Sequence, residues 1–254
     1  MKIGIAYPAF KESFEDLFKT EITDLSVYNR EELSNKIEDL NLIIFSGGED
    51  ISPSIYNQEL TYSSGMNPSR DRIELNLLDK IKYHEVKILG VCRGHQLINA
   101  YFGGNLCQDI FLSGMESHEI MHEIFWKYSG YFSKKFNIVN SLHHQGVTSP
   151  GYSFIVAALK KSIIEATIYK DKYFTVQWHP EFMEENHQNI FRKVIKSWVE
   201  GENKISDFLI RDDLKEKNKD SDFSFDKGLF TNTINTTDVY YEEEEDEEDE
   251  PDFI

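Results

Sequence analysis

Apolar and amphipathic segments alternate along the first part of the chain. Residues 2–7, 22–28 and 42–45 are rich in β-forming side chains, and the last segment is continuously apolar, as in strands covered on both faces. Between them, residues 12–19 and 30–40 carry apolar side chains at helical spacing. This β-α-β-α-β order predicts a parallel sheet with helices on both sides.

The same alternation continues towards residue 201. We predict a helix at 70–81, an apolar strand at 86–89 and helix-forming residues at 97–102. The later predicted elements are strands at 154–159, 163–169 and 173–176 and a closing amphipathic helix at 186–198. We therefore expect one α/β domain over residues 1–201.

A cysteine lies between two glycines where the strand at 86–89 turns into the next helix. In Gly90-Val91-Cys92-Arg93-Gly94 the glycines permit a sharp turn that would lift the sulfur out of the sheet. The following helix start directs free N–H groups at the thiol and favours the thiolate. On these residues alone, a buried free cysteine in an ordinary turn explains the pattern equally well.

Two further segments follow predicted strands. Gly47 and Gly48 come directly after the strand at 42–45, where open α/β sheets bind ligands, and their N–H groups could stabilise an oxyanion. His179-Pro180-Glu181 follows the last strand. The proline fixes the turn, so that the carboxylate can accept from the imidazole and raise its basicity.

The segment His118-Glu119-Ile120-Met121-His122 matches the HExxH pattern of zinc peptidases. That pattern needs a helix that places both histidines on one face, together with a third ligand. Because turn-like and aromatic residues flank the segment, we predict no metal site here and interpret the spacing as chance near a strand.

Composition limits the function classes. The chain has 254 residues and only two cysteines, which excludes a disulfide framework. Neither a signal peptide nor a membrane-length apolar run is evident, so we expect a soluble protein of a reducing, cytoplasmic compartment. The net charge is −18. The chain therefore offers no basic patch for direct nucleic-acid binding.

The acidic charge is concentrated at the carboxyl end. Residues 202–254 carry six basic and nineteen acidic side chains, and residues 242–250 are nine consecutive acids. We expect 202–254 to be a disordered acidic tail. Its Pro251-Asp252-Phe253-Ile254 end is similar to the tails with which single-stranded-DNA-binding proteins recruit partners. The tail either only solvates the protein or docks onto a basic partner.

Taken together, these motifs resemble the class I glutamine amidotransferase superfamily over residues 1–201, closest to the γ-glutamyl hydrolase and γ-glutamyl-γ-aminobutyrate hydrolase branch (peptidase C26-like). The resemblance rests on four motifs: Ser46-Gly47-Gly48-Glu49-Asp50 with Pro53 and Tyr56, Arg70-Asp71-x-x-Glu74, Val139-Asn140-Ser141-Leu142-His143-His144-Gln145, and Gln177-Trp178-His179-Pro180-Glu181. It implies a flavodoxin-like three-layer sandwich with a mostly parallel central sheet.

The resemblance also implies catalytic roles. Cys92 would attack the γ-carbonyl of glutamine or a γ-glutamyl amide to give a thioester. His179 would transfer the proton and Glu181 would orient the imidazole. The N–H groups of Gly48 and Arg93 would form the oxyanion hole. No cofactor is implied.

The same resemblance places Gly47, Gln96, His144 and Gln145 at the substrate. His143 and His144 are alternative candidates for the base, but only His179 has a carboxylate built into its own segment.

Three functions remain open at this point. The chain could be a stand-alone γ-glutamyl hydrolase, or a glutaminase that passes ammonia to a separate synthetase. The third is a catalytically quiet interaction protein on this scaffold, recruiting a basic partner through its acidic tail. All three residues of the expected triad are present, which favours an enzyme.

Overall fold

The computed structural model describes residues 1–114 and 120–210. Strands and helices follow one another in this order: β1 Ile3–Ile5, α1 Lys11–Phe18, β2 Ile22–Asp24, α2 Arg30–Glu38, β3 Leu42–Phe45, α3 Pro68–Ile81, β4 Lys87–Val91, α4 Arg93–Tyr101, β5 Asn105–Cys107, β6 Met121–Glu123, β7 Phe125–Trp126, α5 Tyr131–Lys135, β8 Ile138–Asn140, β9 Gly146–Ser149, β10 Ile155–Lys160, β11 Ile163–Tyr169, β12 Tyr173–Val176, α6 Glu185–Val199 and α7 Asp207–Ile210.

One large sheet has the strand order β2-β1-β3-β4-β12-β11-β10-β7. Neighbours from β2 to β12 are parallel, and β11, β10 and β7 continue the sheet in antiparallel pairs. β9 pairs with β11, and β5 with β9, while β6 and β8 form a small separate sheet. The mostly parallel sheet with helices on both faces confirms the predicted flavodoxin-like three-layer sandwich.

Each face of the sheet covers its own apolar core. Side chains alternate along β3, so that Leu42 and Ile44 lie in one core and Ile43 and Phe45 in the other. The first core includes residues of α1, α5, α6 and α7, and the second includes residues of α2, α3 and α4. This explains why the strand is continuously apolar in sequence.

Local sequence fixes the starts of α2 and α3, two helices on the second face. The side chain of Asn29 accepts from the N–H of Glu32 at 3.1 Å, and the Glu32 carboxylate accepts in return from the Asn29 N–H at 3.2 Å, which is a capping box. Helix α3 begins at Pro68, preceded by Asn67, whose side chain accepts from the Arg70 N–H at 3.1 Å. Arg70 therefore lies in the first turn of a helix whose start is well capped.

Strands β3, β4 and β12 end side by side. Phe45 pairs with Gly90, and Val176 pairs with Val91, at the carboxyl ends of these strands. The chain leaves the three strands through the segments that contain Gly47, Cys92 and His179. The parallel register thus places all three predicted segments at one edge of the sheet.

Two element boundaries differ from the sequence prediction. Strand β2 ends at Asp24 rather than at residue 28, since the chain turns after Leu25, where the Tyr28 N–H donates to the Leu25 carbonyl oxygen at 3.4 Å. Helix α4 begins at Arg93, directly after Cys92 as the predicted turn requires, and so four residues before the helix-forming segment at 97–102. The helix start therefore lies at the cysteine itself.

The predicted start of the tail at residue 202 is too early. Ile205, Phe208 and Leu209 are buried in the first core, and the Ile205 N–H donates to Asp171. Phe208 contacts Phe132 of α5 with 6.0 Å between ring centroids. These apolar residues lie in the turn before α7 and in α7 itself, inside an otherwise polar stretch, so composition alone conceals their burial. The predicted tail from residue 211 onward, including residues 242–250, lies outside the described residues.

Within residues 1–114 and 120–210, no helix combines the length and the apolar character that crossing a membrane requires.

Candidate active site

Cys92 lies in a strained turn between β4 and α4. Its backbone angles are φ 50° and ψ −105°, a conformation that is sparsely populated for a residue with a side chain. The flanking glycines are required by close packing: a Cβ at Gly94 would lie 2.0 Å from the Phe45 carbonyl oxygen, and one at Gly90 would lie 2.8 Å from Ile98 Cδ1. The predicted elbow is therefore formed as a turn that only this glycine pattern permits.

The structure brings His179 to Cys92 and Glu181. The His179 imidazole interacts with the Cys92 side chain, and its Nδ1 lies 2.7 Å from Glu181 Oε1. Glu181 therefore occupies Nδ1 and leaves the other ring nitrogen to the thiol. Burial lowers the pKa of His179, but the hydrogen bonds to Cys92 and Glu181 outweigh it and raise the pKa to about 10. This charge arrangement favours a protonated imidazole.

The backbone and the ring of His179 are held separately. Asn140 of β8 donates to the His179 carbonyl oxygen and accepts from its N–H, both at 2.8 Å. Phe182 stacks on the imidazole at 5.4 Å between centroids, and Phe10 meets it edge-on at 5.9 Å. The imidazole is thus fixed in both position and plane.

The two predicted glycines contact different groups. A Cβ at Gly47 would lie 2.4 Å from His179 Cε1, so the loop after β3 packs against the imidazole. Gly48 has φ 144°, and a Cβ there would lie 2.1 Å from Arg70 Nη1. Any side chain at either position would displace one of these two groups.

A buried ion-pair network supports the turn at Cys92. Arg93 donates to Glu74 and to Asp71, and Arg70 Nε donates to Glu74 at 3.0 Å. Arg70, Glu74 and Arg93 are all 0% exposed. Two guanidinium groups and two carboxylates therefore compensate each other out of water.

Gln96 and Gln145, predicted at the substrate, contact each other. The Gln96 amide donates to the Gln145 carbonyl oxygen at 3.1 Å and to Gln177 Oε1 at 3.2 Å. The Gln145 amide donates to Ser63 Oγ at 2.7 Å. Both glutamines are buried, so the structure joins α4 to the loop after β8.

His144 lies between two aspartates. Its Nε2 is 2.8 Å from Asp50 Oδ1 and its Nδ1 is 3.1 Å from Asp109 Oδ2. Burial lowers the pKa of His144, but the two carboxylates outweigh it and raise the pKa. Its side chain is 45% exposed. His144 thus links three loops at a solvent-exposed position.

The remaining histidine candidates have other surroundings. Nδ1 of His143 lies 2.7 Å from the Gln145 carbonyl oxygen, whereas His179 is the histidine bonded to Cys92. His122 lies in β6 rather than in a helix, and His118 and Glu119 lie outside the described residues. Among the residues that are described, no group of three or more His, Cys, Asp or Glu is arranged to hold a metal ion.

Sequence reasoning gave no role to Arg70, Glu74 or Asn140, although it quoted the motifs that contain them. A signal for the first two was present. Arg70 and Glu74 lie four residues apart, on the same stripe of α3 as the buried Leu77, Leu78 and Ile81. A charged pair on the buried stripe of a helix indicates a network with partners elsewhere in the chain.

Comparison with known proteins places this geometry in a family. A family model for peptidase C26 matches residues 24–181. The glutamine amidotransferase-like protein YvdE of Lactococcus lactis subsp. lactis is 31% identical over 215 residues, which cover 79% of this chain and 90% of YvdE. The gamma-glutamyl-CDP-amidate hydrolase of Campylobacter jejuni is 30% identical over 188 residues, covering 72% and 82%.

Among solved structures, a Thermoplasma acidophilum protein described as a GMP synthase subunit superposes with a TM-score of 0.56. The match covers 79% of this chain and 92% of that chain at 17% identity. At this identity the likeness shows the fold alone.

Proposed function

The chain belongs to the peptidase C26 family of glutamine amidotransferase-like proteins, and on that premise we propose that it hydrolyses a γ-glutamyl amide through a thioester on Cys92. The observation that carries the proposal is that Cys92, at the strained turn after β4, interacts with His179, whose Nδ1 lies 2.7 Å from Glu181 Oε1. A cysteine, a histidine and an orienting carboxylate in this order are the components of nucleophilic acyl transfer.

In the first half of the proposed reaction, the Cys92 sulfur attacks the γ-carbonyl carbon, and a C–S bond forms. The thiol proton is held by His179, whose pKa of about 10 keeps the imidazole protonated near neutral pH. As the tetrahedral intermediate collapses, the C–N bond breaks and His179 gives its proton to the leaving nitrogen. The products are the free amine or ammonia and the γ-glutamyl thioester.

In the second half, water attacks the thioester carbonyl while His179 accepts a proton from it. The C–S bond breaks, and the proton returns to the sulfur as the γ-carboxyl product leaves. In both halves the N–H groups of Gly48 and Arg93 would stabilise the oxyanion, an effect of about 3–4 kcal/mol in comparable sites. The atoms balance with water as the only co-reactant.

The predicted substrate contacts remain part of this proposal. Gly47 borders the imidazole, and Gln96, whose N–H donates to the Cys92 carbonyl oxygen at 3.1 Å, contacts Gln145. His144, with its two aspartates, supplies a charged group at the exposed side. A glutamyl moiety carries an ammonium and a carboxylate, and these polar groups fit a wall of amide and ionic side chains.

The stand-alone hydrolase is the form that we favour. The Campylobacter jejuni relative is named as a hydrolase of a γ-glutamyl amidate, at 30% identity over most of both chains. Under this proposal residues 1–210 form the catalytic domain. The ammonia-accepting synthetase, the basic partner of the tail and the cytoplasmic location stay predictions. The catalytically quiet interaction protein is not favoured, since Cys92, His179 and Glu181 are brought together.

The test uses the full chain and its second free cysteine as a matched control. Wild type, Cys92→Ala and Cys107→Ala are incubated with glutamine and with a panel of γ-glutamyl amides, including γ-glutamyl anilides, and released glutamate is measured. Cys107 is buried beside Ile110 and Ile163 in a separate small cluster. We expect activity in wild type and Cys107→Ala and at least a thousandfold loss in Cys92→Ala. Equal rates in wild type and Cys92→Ala would refute the mechanism.

A further inference from the structure

The loop between β3 and the 3₁₀ turn at Pro53–Tyr56 is bound by an arginine from helix α3. Nη2 of Arg70 donates to the carbonyl oxygens of Ser46 at 3.1 Å and Gly47 at 2.9 Å. The guanidinium also lies over the Tyr7 ring at 4.8 Å. Arg70 is 0% exposed, so its contacts to these carbonyls are made out of water. The buried guanidinium therefore fixes two consecutive carbonyl oxygens of this loop.

Because the peptide bond is planar, the contact between Arg70 and the Gly47 carbonyl also orients the N–H of Gly48. In a planar trans peptide the C=O of one residue and the N–H of the next point in opposite directions. The Gly47 carbonyl points at Arg70, so the Gly48 N–H points away from Arg70. Gly47 itself packs against the His179 imidazole. The Gly48 N–H is thus turned to the side of the loop opposite Arg70, next to a residue that packs against the imidazole.

Glu74 connects this loop to the turn at Cys92. One carboxylate oxygen accepts from Arg70 Nε at 3.0 Å, and the other accepts from Arg93 Nη1. Arg93 directly follows Cys92, and its own N–H opens helix α4. One buried carboxylate therefore bridges the two chain segments that would supply the oxyanion donors.

We propose that Arg70 is a positioning residue that turns the Gly48 N–H towards the substrate oxyanion, and that Glu74 fixes the spacing between this N–H and that of Arg93. The inference rests on the proposed function, since the oxyanion forms only when Cys92 attacks a carbonyl. Arg70 and Glu74 act through the backbone and do not touch the reacting atoms. Their role is specific to steps that create a negative oxygen.

The experiment compares two reactions of the same sulfur in the Arg70→Lys protein. Lysine keeps the charge but cannot reproduce the planar set of contacts to two carbonyls and Glu74. We expect kcat for γ-glutamyl amide hydrolysis to fall about a hundredfold with KM nearly unchanged. The rate of Cys92 alkylation by iodoacetamide should stay near the wild-type value, because displacement at a saturated carbon creates no oxyanion.

Arg192→Lys is the matched control. Arg192 of α6 also donates to a backbone carbonyl, that of Leu17 at 2.8 Å, in a different part of the fold. Hydrolysis should be unaffected by this substitution. An unchanged kcat in Arg70→Lys would overturn the inference. So would a parallel loss of hydrolysis and alkylation, which indicates general damage to the site.

A crystal structure of the variant separates the inference from the proposed function. We expect the Gly47–Gly48 peptide to rotate when Arg70 is replaced, and retention of its orientation would overturn the inference whether or not the protein is active. If wild type lacks Cys92-dependent turnover, the proposed function fails. The orientation of the Gly47–Gly48 peptide in the variant then alone tests whether Arg70 positions it. Should Arg70→Lys not fold, Glu74→Gln, which keeps the side-chain shape, is measured in the same three ways.

Discussion

Two histidine–carboxylate groups lie among the predicted site residues, and they differ in burial. His179 and Glu181 are 3% and 4% exposed, and 2.7 Å separates the ring nitrogen from the carboxylate. His144 bonds to Asp50 and Asp109 at similar distances, but its side chain is 45% exposed. One histidine is therefore fixed out of water beside Cys92, while the other remains in contact with solvent.

This difference separates two uses of the same side-chain types. Burial lowers the pKa of both histidines, but at His179 the interactions with Cys92 and Glu181 outweigh it, and at His144 the two aspartates do, so both pKa values are raised. Ion pairs in contact with water are screened and contribute at most about 1 kcal/mol. Breaking a buried pair costs about 3–5 kcal/mol. The buried His179 is thus suited to reaction chemistry, whereas the half-exposed His144 is suited to a contact that can adjust.

The two groups also differ in how the chain assembles them. His179 and Glu181 are two residues apart across Pro180, whereas His144 joins residues 94 and 35 positions away. A local pair forms whenever its turn forms. A long-range group forms only when three loops are already in place. The next experiments use this contrast.

The largest expected effect comes from replacing the histidine of each group by alanine and comparing the two variants. His179→Ala removes the proton carrier, and we expect kcat for γ-glutamyl amide hydrolysis to fall about a thousandfold. His144→Ala removes a half-exposed contact, and we expect a loss below about tenfold, mainly in KM. Steady-state kinetics on the same substrate measure both. A larger loss in kcat for His144→Ala than for His179→Ala would show that His179 is not the base.

The second prediction moves His179 without changing it. In Gly47→Ala the new Cβ would lie 2.4 Å from His179 Cε1, so the imidazole must shift, and we expect a loss in kcat of about a hundredfold. Gly4→Ala is the control, since its Cβ would meet Leu40 Cδ1 at 2.6 Å far from Cys92. Thermal unfolding should show destabilisation in both proteins. Similar kcat values in the two variants would contradict the proposed role of the imidazole.

The smallest expected change in rate comes with a shift in pH dependence. Because Glu181 helps to raise the pKa of His179 to about 10, Glu181→Gln should lower that pKa. The alkaline limb of kcat/KM should move to lower pH, with about a tenfold loss near neutrality. Glu184→Gln, in the exposed pair with His187, is the control and should leave the limb in place. An unchanged limb in Glu181→Gln would show that the carboxylate does not tune His179.

The same pKa predicts how stability depends on pH. The folded-state pKa of His179, about 10, lies above its unfolded value near 6.5, so folding binds a proton there. This contribution is fully present below pH 6.5 and is lost as the pH rises through 10. In Glu181→Gln the stabilisation should be lost at a lower pH than in wild type. Denaturant unfolding at several pH values would measure this change in the free energy of unfolding.

The order of the elements was predictable because it depends on local patterns. Strands β10, β11 and β12 were expected within one residue of their observed bounds, and continuous apolarity correctly indicated that β3 is covered on both faces. Boundaries set by tertiary contacts were predicted less well. Strand β2 ends early, and the burial of Ile205 and Phe208 is recognisable only once the first core is known.

The candidate site divides in the same way. The glycine spacing around Cys92 and the local pair His179–Glu181 are legible in the chain, since each is a steric or electrostatic property of a few consecutive residues. The clamp of Asn140 on the His179 backbone joins residues 39 positions apart. No local pattern encodes such a contact.

The sequence by itself thus determined the succession of strands and helices, the turn at Cys92 and the residue types needed for acyl transfer. Only the tertiary structure decided that Glu74 bridges Arg70 and Arg93, and that one histidine is buried while another stays in water. The physical reason is range. Backbone sterics and side-chain periodicity act over a few residues, whereas charge compensation and burial depend on which distant segments the fold brings together.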